Sequence, residues 1–244
     1  MAAFPPAART RRTVWAGTLC AALALSLTAC GGGDPDAGTN GVGKLSAKEI
    51  EARAREAADG SRAVRLSGTL VSKGGSYKLN MQLRSDGGTG SVTSKNSTFE
   101  LLRIDDALYV KAPAAFWRQT DGRSGATAAD KLAAKYVKVP KGDPAYQQFR
   151  GFTDMKVLLN GLLALHGPLD KGDRSKVAGV RAVQVTGGDG GRLDVSLKGT
   201  PYPLRFERAG GAGVLQLADW NQNFSLAAPA KSDTVDYGHE LPRK

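Results

Sequence analysis

Residues 77–84 read Tyr-Lys-Leu-Asn-Met-Gln-Leu-Arg, so an apolar side chain alternates with a polar one over the whole stretch. A period of two places the apolar side chains on one face of a β-strand and the polar side chains on the other. The stretch therefore predicts a half-buried strand with one face on the core and one face in water.

The same pattern continues on both sides of this strand. Short turns rich in Gly, Asp and Asn separate further alternating runs at residues 62–72, 89–93, 98–104 and 107–111. Five strands joined by tight turns predict an antiparallel meander. A single strand is predicted at 136–139, between the later helices. A second meander is predicted toward the end of the chain, from runs at 177–186, 192–197, 202–208, 214–220 and 224–226.

Helical patterns lie before the first meander and between the two. Ser46-Ala47-Lys48-Glu49 has the capping-box pattern and predicts a helix that ends at Asp59-Gly60. Thr153 is predicted to cap the most apolar helix, from Asp154 to about Leu165, which is too short to span a bilayer. Shorter helices are expected at 126–135 and 144–149, and a loop at 112–125.

This order of elements predicts an α+β fold. An antiparallel sheet with one apolar face must cover that face or curl onto it. We therefore expect a strongly curved antiparallel β-sheet, a half-barrel, with the helices packed in its concave face. Such an arrangement either fills completely with side chains or leaves an apolar pocket between helix and sheet.

The first residues have the layout of a secretory signal. Arg9, Arg11 and Arg12 precede an apolar run from Val14 to Leu27, and small residues follow up to Cys30. Leu27-Thr28-Ala29-Cys30 resembles the lipobox of bacterial lipoproteins. The resemblance implies cleavage before Cys30 and attachment of diacylglycerol and palmitate to it, which would anchor the protein on the extracytoplasmic face of the cell membrane. The alternative is an ordinary secreted protein with an incidental Cys30.

We divide the chain accordingly into a signal peptide at 1–29, a flexible tether at 30–44 and one domain at 45–244. The tether is predicted from its small polar residues. The net charge of +11 falls to about +8 without the three arginines of the leader. In an exported protein this charge favours anionic lipids, wall polymers or acidic glycolipids as partners over nucleic acid, or else serves solubility. We expect a monomer.

Little in the sequence points to catalysis. Cys20 lies in the leader, so no thiol pair remains for a disulfide, a zinc site or a nucleophile. His166 is expected at the C-terminal end of the apolar helix and His239 in a solvated tail. The glycine-rich run 187–191 precedes a strand rather than a helix and therefore predicts a hairpin, not a phosphate loop. We expect no enzyme, no metal and no cofactor.

Short phrases along the chain resemble a known family. Besides Cys30 and the 46–58 helix, they are Ser67-Gly68-Thr69, Leu108-Tyr109-Val110-Lys111 before Phe116-Trp117, Tyr202-Pro203-Leu204-Arg205 and Asp219-Trp220. In this order they resemble the LolA-like lipoproteins, especially the LppX/LprA/LprF/LprG group of exported lipid-binding lipoproteins. The resemblance implies an eleven-strand half-barrel with helices in its mouth, which holds acylated lipids or lipoglycans.

A cavity for acyl chains requires no particular residue type, only an apolar lining that excludes water. The candidates for its lining are Leu66, Leu70, Leu79, Met81, Leu83, Leu101, Tyr109, Met155, Leu158, Leu159, Leu162 and Leu163. The alternative is that these side chains fill an ordinary closed core. Phe116 and Trp117 are either a rim that touches lipid or residues that fix a loop to the sheet. Lys131, Lys135, Lys138 and Lys141 are either a basic lip for anionic headgroups or a solvated surface.

Two functions follow from this interpretation. The first is a membrane-anchored, non-enzymatic protein that binds acylated lipids or lipoglycans for lipid transport or envelope maintenance. The second is a regulatory or envelope-assembly module that binds a protein partner and carries no lipid.

Overall fold

The computed structural model describes residues 36–72, 75–95, 97–120, 126–133 and 135–236. From Asp36 onward these residues form one compact unit. The predicted signal peptide, Cys20, Cys30 and His239 lie outside the described residues.

A single sheet of twelve described strands organises this unit, in the order β12-β6-β5-β4-β3-β2-β1-β11-β10-β9-β8-β7. Every neighbouring pair is antiparallel except β12 and β6, which are parallel. The strands are β1 (Ala63–Ser72), β2 (Gly75–Arg84), β3 (Gly87–Ser94), β4 (Ser97–Ile104), β5 (Ala107–Lys111), β6 (Tyr136–Val139), β7 (Leu169–Val177), β8 (Val180–Gly187), β9 (Arg192–Ser196), β10 (Pro203–Glu207), β11 (Gly213–Ala218) and β12 (Thr234–Asp236).

The five-strand meander predicted from the alternation is confirmed in β1 to β5. The second meander is also present, but it begins with a strand that the sequence does not predict, and its predicted last strand is wrong. The structure adds β7 before β8, because Leu169–Val177 is so polar that it has no apolar alternation to detect. It has no strand at 224–226 and instead ends in β12.

Five α-helices are present among the described residues: α1 (Ala47–Asp59), α2 (Ala114–Thr120), α3 (Ala126–Leu132), α4 (Pro144–Thr153) and α5 (Met155–Leu162). Short 3₁₀ helices lie at Val42–Lys44, Ala209–Gly211 and Lys231–Asp233. The capping box of α1 is confirmed. Glu49 N donates to Ser46 Oγ at 3.4 Å, and Ser46 N donates to Glu49 Oε2 at 3.0 Å.

The structure corrects the start and end of the apolar helix. Thr153 is the last residue of α4, and its hydroxyl donates to the carbonyl of Phe149 at 3.3 Å. Asp154 caps α5 instead, since its carboxylate accepts a hydrogen bond from Val157 N at 3.1 Å. The helix ends at Leu162 rather than near Leu165. Asp154, whose backbone is extended, forms the corner between α4 and α5.

The predicted loop at 112–125 is wrong in its first half. Residues 114–120 form α2, and this helix carries Phe116 and Trp117. Helix-breaking residues lie only at the sides of this segment, at Pro113 and Gly122, and Ala114-Ala115 favour a helix.

The predicted flexible tether at 30–44 is also wrong from Asp36 onward. The side-chain nitrogen of Asn40 donates to the carbonyls of Ser196 and Gly199 at 3.0 and 2.9 Å, and Val42 is only 5% exposed. A buried side chain and long-range hydrogen bonds hold this segment on the domain, although its composition is that of a linker.

Gly68 fits β1 closely against β11. Its φ is +140°, and a Cβ at this position would lie 2.1 Å from the carbonyl oxygen of Val214 in β11. Glycine inside a strand permits such an approach and the bend that goes with it. The sheet is curved and does not close into a barrel, which agrees with the predicted half-barrel.

Candidate functional site

One apolar cluster lies between the inner face of the sheet and the helices. We call it the interior cluster. All five α-helices contribute buried side chains to it, among them Ile50 of α1, Trp117 of α2 and Phe149 of α4. The curved sheet thus covers one apolar volume, as the sequence predicts, and the helices cover it from the other side.

Ten of the twelve predicted lining residues belong to this cluster. They are Leu66, Leu79, Met81, Leu83, Leu101, Met155, Leu158, Leu159, Leu162 and Leu163. Leu70 is half-buried and packs against the cluster. The strands and α5 therefore bring nearly the whole predicted set together.

Tyr109 is the exception, and its assignment to the inner face is wrong. Its neighbours Leu108 and Val110 are fully buried in the interior cluster. Successive side chains of a strand point to opposite faces, so Tyr109 lies on the outer face, in register with Leu102 and Lys138.

The two sides of the interior cluster differ in their packing. On the sheet side, Leu66, Met81, Leu83 and Leu101 have no exposed surface at all. On the helix side, Leu158 keeps 8% and Leu162 keeps 6% of its surface exposed. These strand residues are enclosed by protein atoms. Small exposed fractions remain on α5 and also on Leu132 of α3, Phe149 of α4 and Phe99 of β4, so the residual exposure of the cluster is not confined to one helix.

Helix α5 also has an apolar residue on its outer side. Val157 is 57% exposed, which is unusual for a large apolar side chain, while Leu159 of the same helix is 2% exposed. An exposed valine beside a buried face gives α5 apolar surface on both sides.

The end of α4 is fixed to β4 by a buried arginine. Arg103 is 6% exposed, its Nη2 donates to the carbonyl of Thr153 at 3.1 Å, and its Nη1 donates to the carbonyl of Asp105 at 2.6 Å. Sequence reasoning missed this residue. The available signal was its position two residues after Leu101, which places an arginine on the apolar face of β4.

The aromatic residues of α2 are fixed inside the fold. Trp117 is 3% exposed and its indole nitrogen donates to the carbonyl of Ala112 at 3.0 Å. The ring of Phe116 lies 5.3 Å from that of Phe99 and 5.1 Å from that of Trp117. The hypothesis of a membrane-touching rim is therefore wrong for Trp117, and the packing role is correct.

Three of the four lysines proposed as a basic lip are paired with carboxylates. Lys141 Nζ lies 2.7 Å from Asp106, Lys138 Nζ lies 3.0 Å from Asp236, and Lys135 Nζ lies 3.6 Å from Asp233. The hydrogen bonds to these aspartates raise the pKa of Lys138 and of Lys141. These pairs favour the solvated surface over a headgroup site, and Lys131 is simply exposed.

Of the two histidines, the structure describes only His166. His166 is exposed and lies beyond the end of α5, so its predicted role at the helix terminus is wrong. The run 187–191 forms the predicted hairpin, with Gly190 N bonded to Gly187 O at 2.9 Å. The described residues contain no group of three or more His, Cys, Asp or Glu side chains that could hold a metal ion. They also contain no helix of the length and hydropathy needed to span a membrane.

Comparison of the sequence finds no matching protein-family model and no matching curated protein. Solved structures do match. LprF from Mycobacterium bovis is 14% identical, with a TM-score of 0.51, over 75% of this chain and 97% of LprF. The lipoprotein LppX from Mycobacterium tuberculosis is 13% identical, with a TM-score of 0.42, over 74% of this chain and 99% of LppX.

The match to LprF concerns the fold, and it extends over nearly all of that protein. The curved, unclosed sheet with helices on its inner face is the architecture that the family resemblance implies, except that the described sheet has twelve strands rather than eleven. This chain therefore has the LolA-like fold of LprF.

Proposed function

We propose that this protein is an exported lipoprotein, anchored through Cys30, that shelters the acyl chains of a lipid or lipoglycan between α5 and the curved sheet. Its role is then lipid transport or maintenance of the envelope. It acts without catalysis and needs no cofactor.

The observation that carries this proposal is the place of α5 on the interior cluster. Met155, Leu158, Leu159 and Leu162 are buried on one side of this helix, where Leu158 and Leu162 keep 8% and 6% of their surface exposed. The N-terminal end of α5 adjoins the Arg103–Thr153 bond, which fixes the corner between the helices. In this proposal, α5 is the part that moves as a cover, while the Arg103–Thr153 bond holds the end of α4 on β4.

An acyl chain that binds between α5 and the sheet is energetically more favourable than one that displaces α5 from the sheet. An acyl chain of about 14 carbons gains roughly 10 kcal/mol from burial, at about 0.8 kcal/mol per methylene. Exposing four large apolar side chains of α5 would cost a similar amount, at about 2 kcal/mol each. A chain that enters between helix and sheet keeps both apolar faces dry, so its burial energy is reduced by the ordering cost of binding but not by exposure of the α5 side chains.

The membrane anchor is supported by the sequence. Arg9, Arg11 and Arg12, the apolar run and the Leu27–Cys30 lipobox together are typical of a lipoprotein signal. The resemblance to exported lipid-binding lipoproteins supports the same location and the same class of cargo.

Native mass spectrometry of residues 31–244, produced without the anchor, tests the cargo. Lipid is extracted from the same sample, and the denatured protein supplies the bare mass as a control. We expect a stoichiometric mass shift that equals the mass of an extracted acyl lipid. A bare mass that does not change after incubation with membrane extract would contradict lipid binding and favour the regulatory or envelope-assembly module that binds a protein partner.

A further inference from the structure

The first described segment of the chain is fixed to one end of the sheet. Asn40 N donates to the carbonyl of Leu197 at 2.9 Å, and its side-chain nitrogen donates to the carbonyls of Ser196 and Gly199 at 3.0 and 2.9 Å. Residues 36–44 thus lie across the end of β9 and the loop that leads to β10.

The same segment is bonded to β7 and β8. Arg174 Nη2 lies 2.5 Å from Asp36 Oδ2, and Arg181 Nη1 donates to the carbonyl of Ala37 at 3.1 Å. The side chain of Asp36 is only 7% exposed. These contacts hold the chain in one place as far as Asp36, so the point at which it leaves the domain is set by the fold.

This end of the sheet is rich in cations. We call it the basic corner, and it comprises residues 36–44, 173–181 and 197–200. The register places Lys176 opposite Arg181, and Leu197 N donates to the carbonyl of Arg181 at 2.8 Å, which brings Lys198 beside them. The exposed cations of the corner are Lys44, Arg174, Lys176, Arg181 and Lys198. Asp36 and Asp173 are its carboxylates, so five cations face two anions and leave an excess of three.

The length of the intervening chain limits how far this corner can lie from an anchored Cys30. Cys30 and Asp36 are six residues apart. At about 3.5 Å per residue, even a fully extended chain spans only about 20 Å. The opposite end of β10, a strand of five residues, is about 15 Å farther away along the strand, at about 3.3 Å per residue.

We infer that the basic corner is the surface on which the anchored protein rests on the membrane, with its cations on anionic lipid headgroups. The inference rests on the anchoring of Cys30 in the proposed function, and it adds an orientation to it. Juxtamembrane Lys and Arg side chains are attracted to anionic lipid within about a Debye length of the surface, and the short connection keeps the corner close to that range.

Energy transfer from the protein to the bilayer measures this orientation. After removal of the leader, Cys30 is the only cysteine and is acylated, so one introduced cysteine gives a unique label site. Thr200 and Ala209 are both exposed and flank the two ends of β10. The acylated chain carries a donor dye at Thr200→Cys or at Ala209→Cys. It is placed in vesicles of phosphatidylcholine with about one third phosphatidylglycerol, which carry an acceptor on their headgroups.

We expect severalfold more transfer from position 200 than from position 209. The double substitution Lys176→Gln/Lys198→Gln should reduce this difference, as should vesicles of phosphatidylcholine alone. The matched control Lys78→Gln/Lys95→Gln removes the same charge from exposed sites elsewhere on the sheet and should leave the difference unchanged.

Equal transfer from the two positions would overturn the inference, and so would an equal effect of the two double substitutions. Flotation of the same vesicles reports anchoring separately. A chain that fails to float contradicts the anchoring in the proposed function, whereas a floating chain with equal transfer contradicts the orientation alone.

Discussion

Arg103 and Thr153 are fifty positions apart and are joined inside the fold, where the guanidinium Nη2 donates to the carbonyl oxygen of Thr153 at 3.1 Å. Both residues are buried, since Arg103 is 6% exposed and Thr153 is 0% exposed. The bond fixes the last turn of α4 to β4 at the corner where α5 begins. The position of α5 over the interior cluster therefore depends on a charged residue of the sheet.

Replacing Arg103 tests this bond. Arg103→Leu removes two hydrogen bonds from a charged donor, and we expect the free energy of unfolding to fall by about 2 to 3 kcal/mol in urea titrations. The control is Arg65→Leu, because the Arg65–Asp219 ion pair is 48% exposed on both sides. Its loss should cost less than about 1 kcal/mol. Equal losses in the two variants would show that the buried bond has no special role.

The lipid hypothesis predicts different results for two neighbouring positions of α5. Leu159 is 2% exposed and Val157 is 57% exposed. Leu159→Arg places a charge against the acyl chain and should lower the lipid-bound fraction in native mass spectra at least about tenfold, since an unpaired charge is costly in apolar surroundings. Val157→Arg adds the same charge on the outer side and should keep the lipid.

Circular dichroism checks both α5 variants for folding. If Leu159→Arg unfolds completely, the side chain belongs to a closed core, and the alternative of an ordinary filled interior is favoured. If both variants lose the lipid to the same extent, the acyl chain does not lie between α5 and the sheet.

Alanine substitutions at Gly68 and Gly75 distinguish the cost of a steric clash between strands from the cost of backbone strain. Both have positive φ, +140° and +123°, but a Cβ on Gly68 would lie 2.1 Å from the carbonyl oxygen of Val214, and a Cβ on Gly75 would meet nothing within 4 Å. Gly68→Ala must displace β1 from β11, and we expect a loss above about 3 kcal/mol. Gly75→Ala adds only strain, of about 1 to 2 kcal/mol. Thermal unfolding of both variants measures the difference.

The capping box of α1 predicts a dependence of stability on pH. Ser46 donates two hydrogen bonds to the carboxylate of Glu49, and both lower the pKa of Glu49 from its ordinary 4.5. The bond from the Ser46 hydroxyl has the larger effect, and the bond from the Ser46 backbone N–H has the smaller one. The unfolded chain therefore takes up this proton at a higher pH than the folded chain does. The stabilisation is present above about pH 4.5 and is lost as the pH falls through the lowered pKa of the folded state.

The Glu49→Gln variant has a neutral amide in place of the carboxyl group, so this side chain no longer titrates. The difference in free energy of unfolding between the parent and this variant should therefore be largest above about pH 5 and shrink toward about pH 3. Urea titrations over this range measure it. A constant difference would mean that the Glu49 carboxylate has the same pKa in both states.

The sequence predicted those parts of the fold in which one face of an element is apolar. β2 and α1 could be placed because their apolar residues recur at the period of a strand and of a helix. β7 could not be placed, because an edge strand with polar residues on both faces has no such period. What defines it is its hydrogen-bonded register with β8, which depends on residues distant from any local pattern.

The candidate site was predictable to a similar degree. The apolar residues of β2 and α5 were assigned correctly to the interior. Tyr109 was not, because Leu108, Tyr109 and Val110 are all apolar or aromatic and their run does not reveal which face is inward. The folding of residues 36–44 onto the domain also had no signal in the sequence, since Asn40 forms its bonds with residues about 156 positions away.

The exposed charges of β7 affect how copies of this protein can contact each other. Among the described strands, β7 has a neighbour on one side only, and the main-chain groups of its other side could pair with a second sheet. Asp170, Lys171, Asp173 and Arg174 line this edge, and the register shifts between Lys171 and Arg174. Charges and an irregular edge oppose the addition of a further strand. With the anchoring proposed above, copies crowded in one bilayer would therefore diffuse past each other without pairing of their sheets at β7.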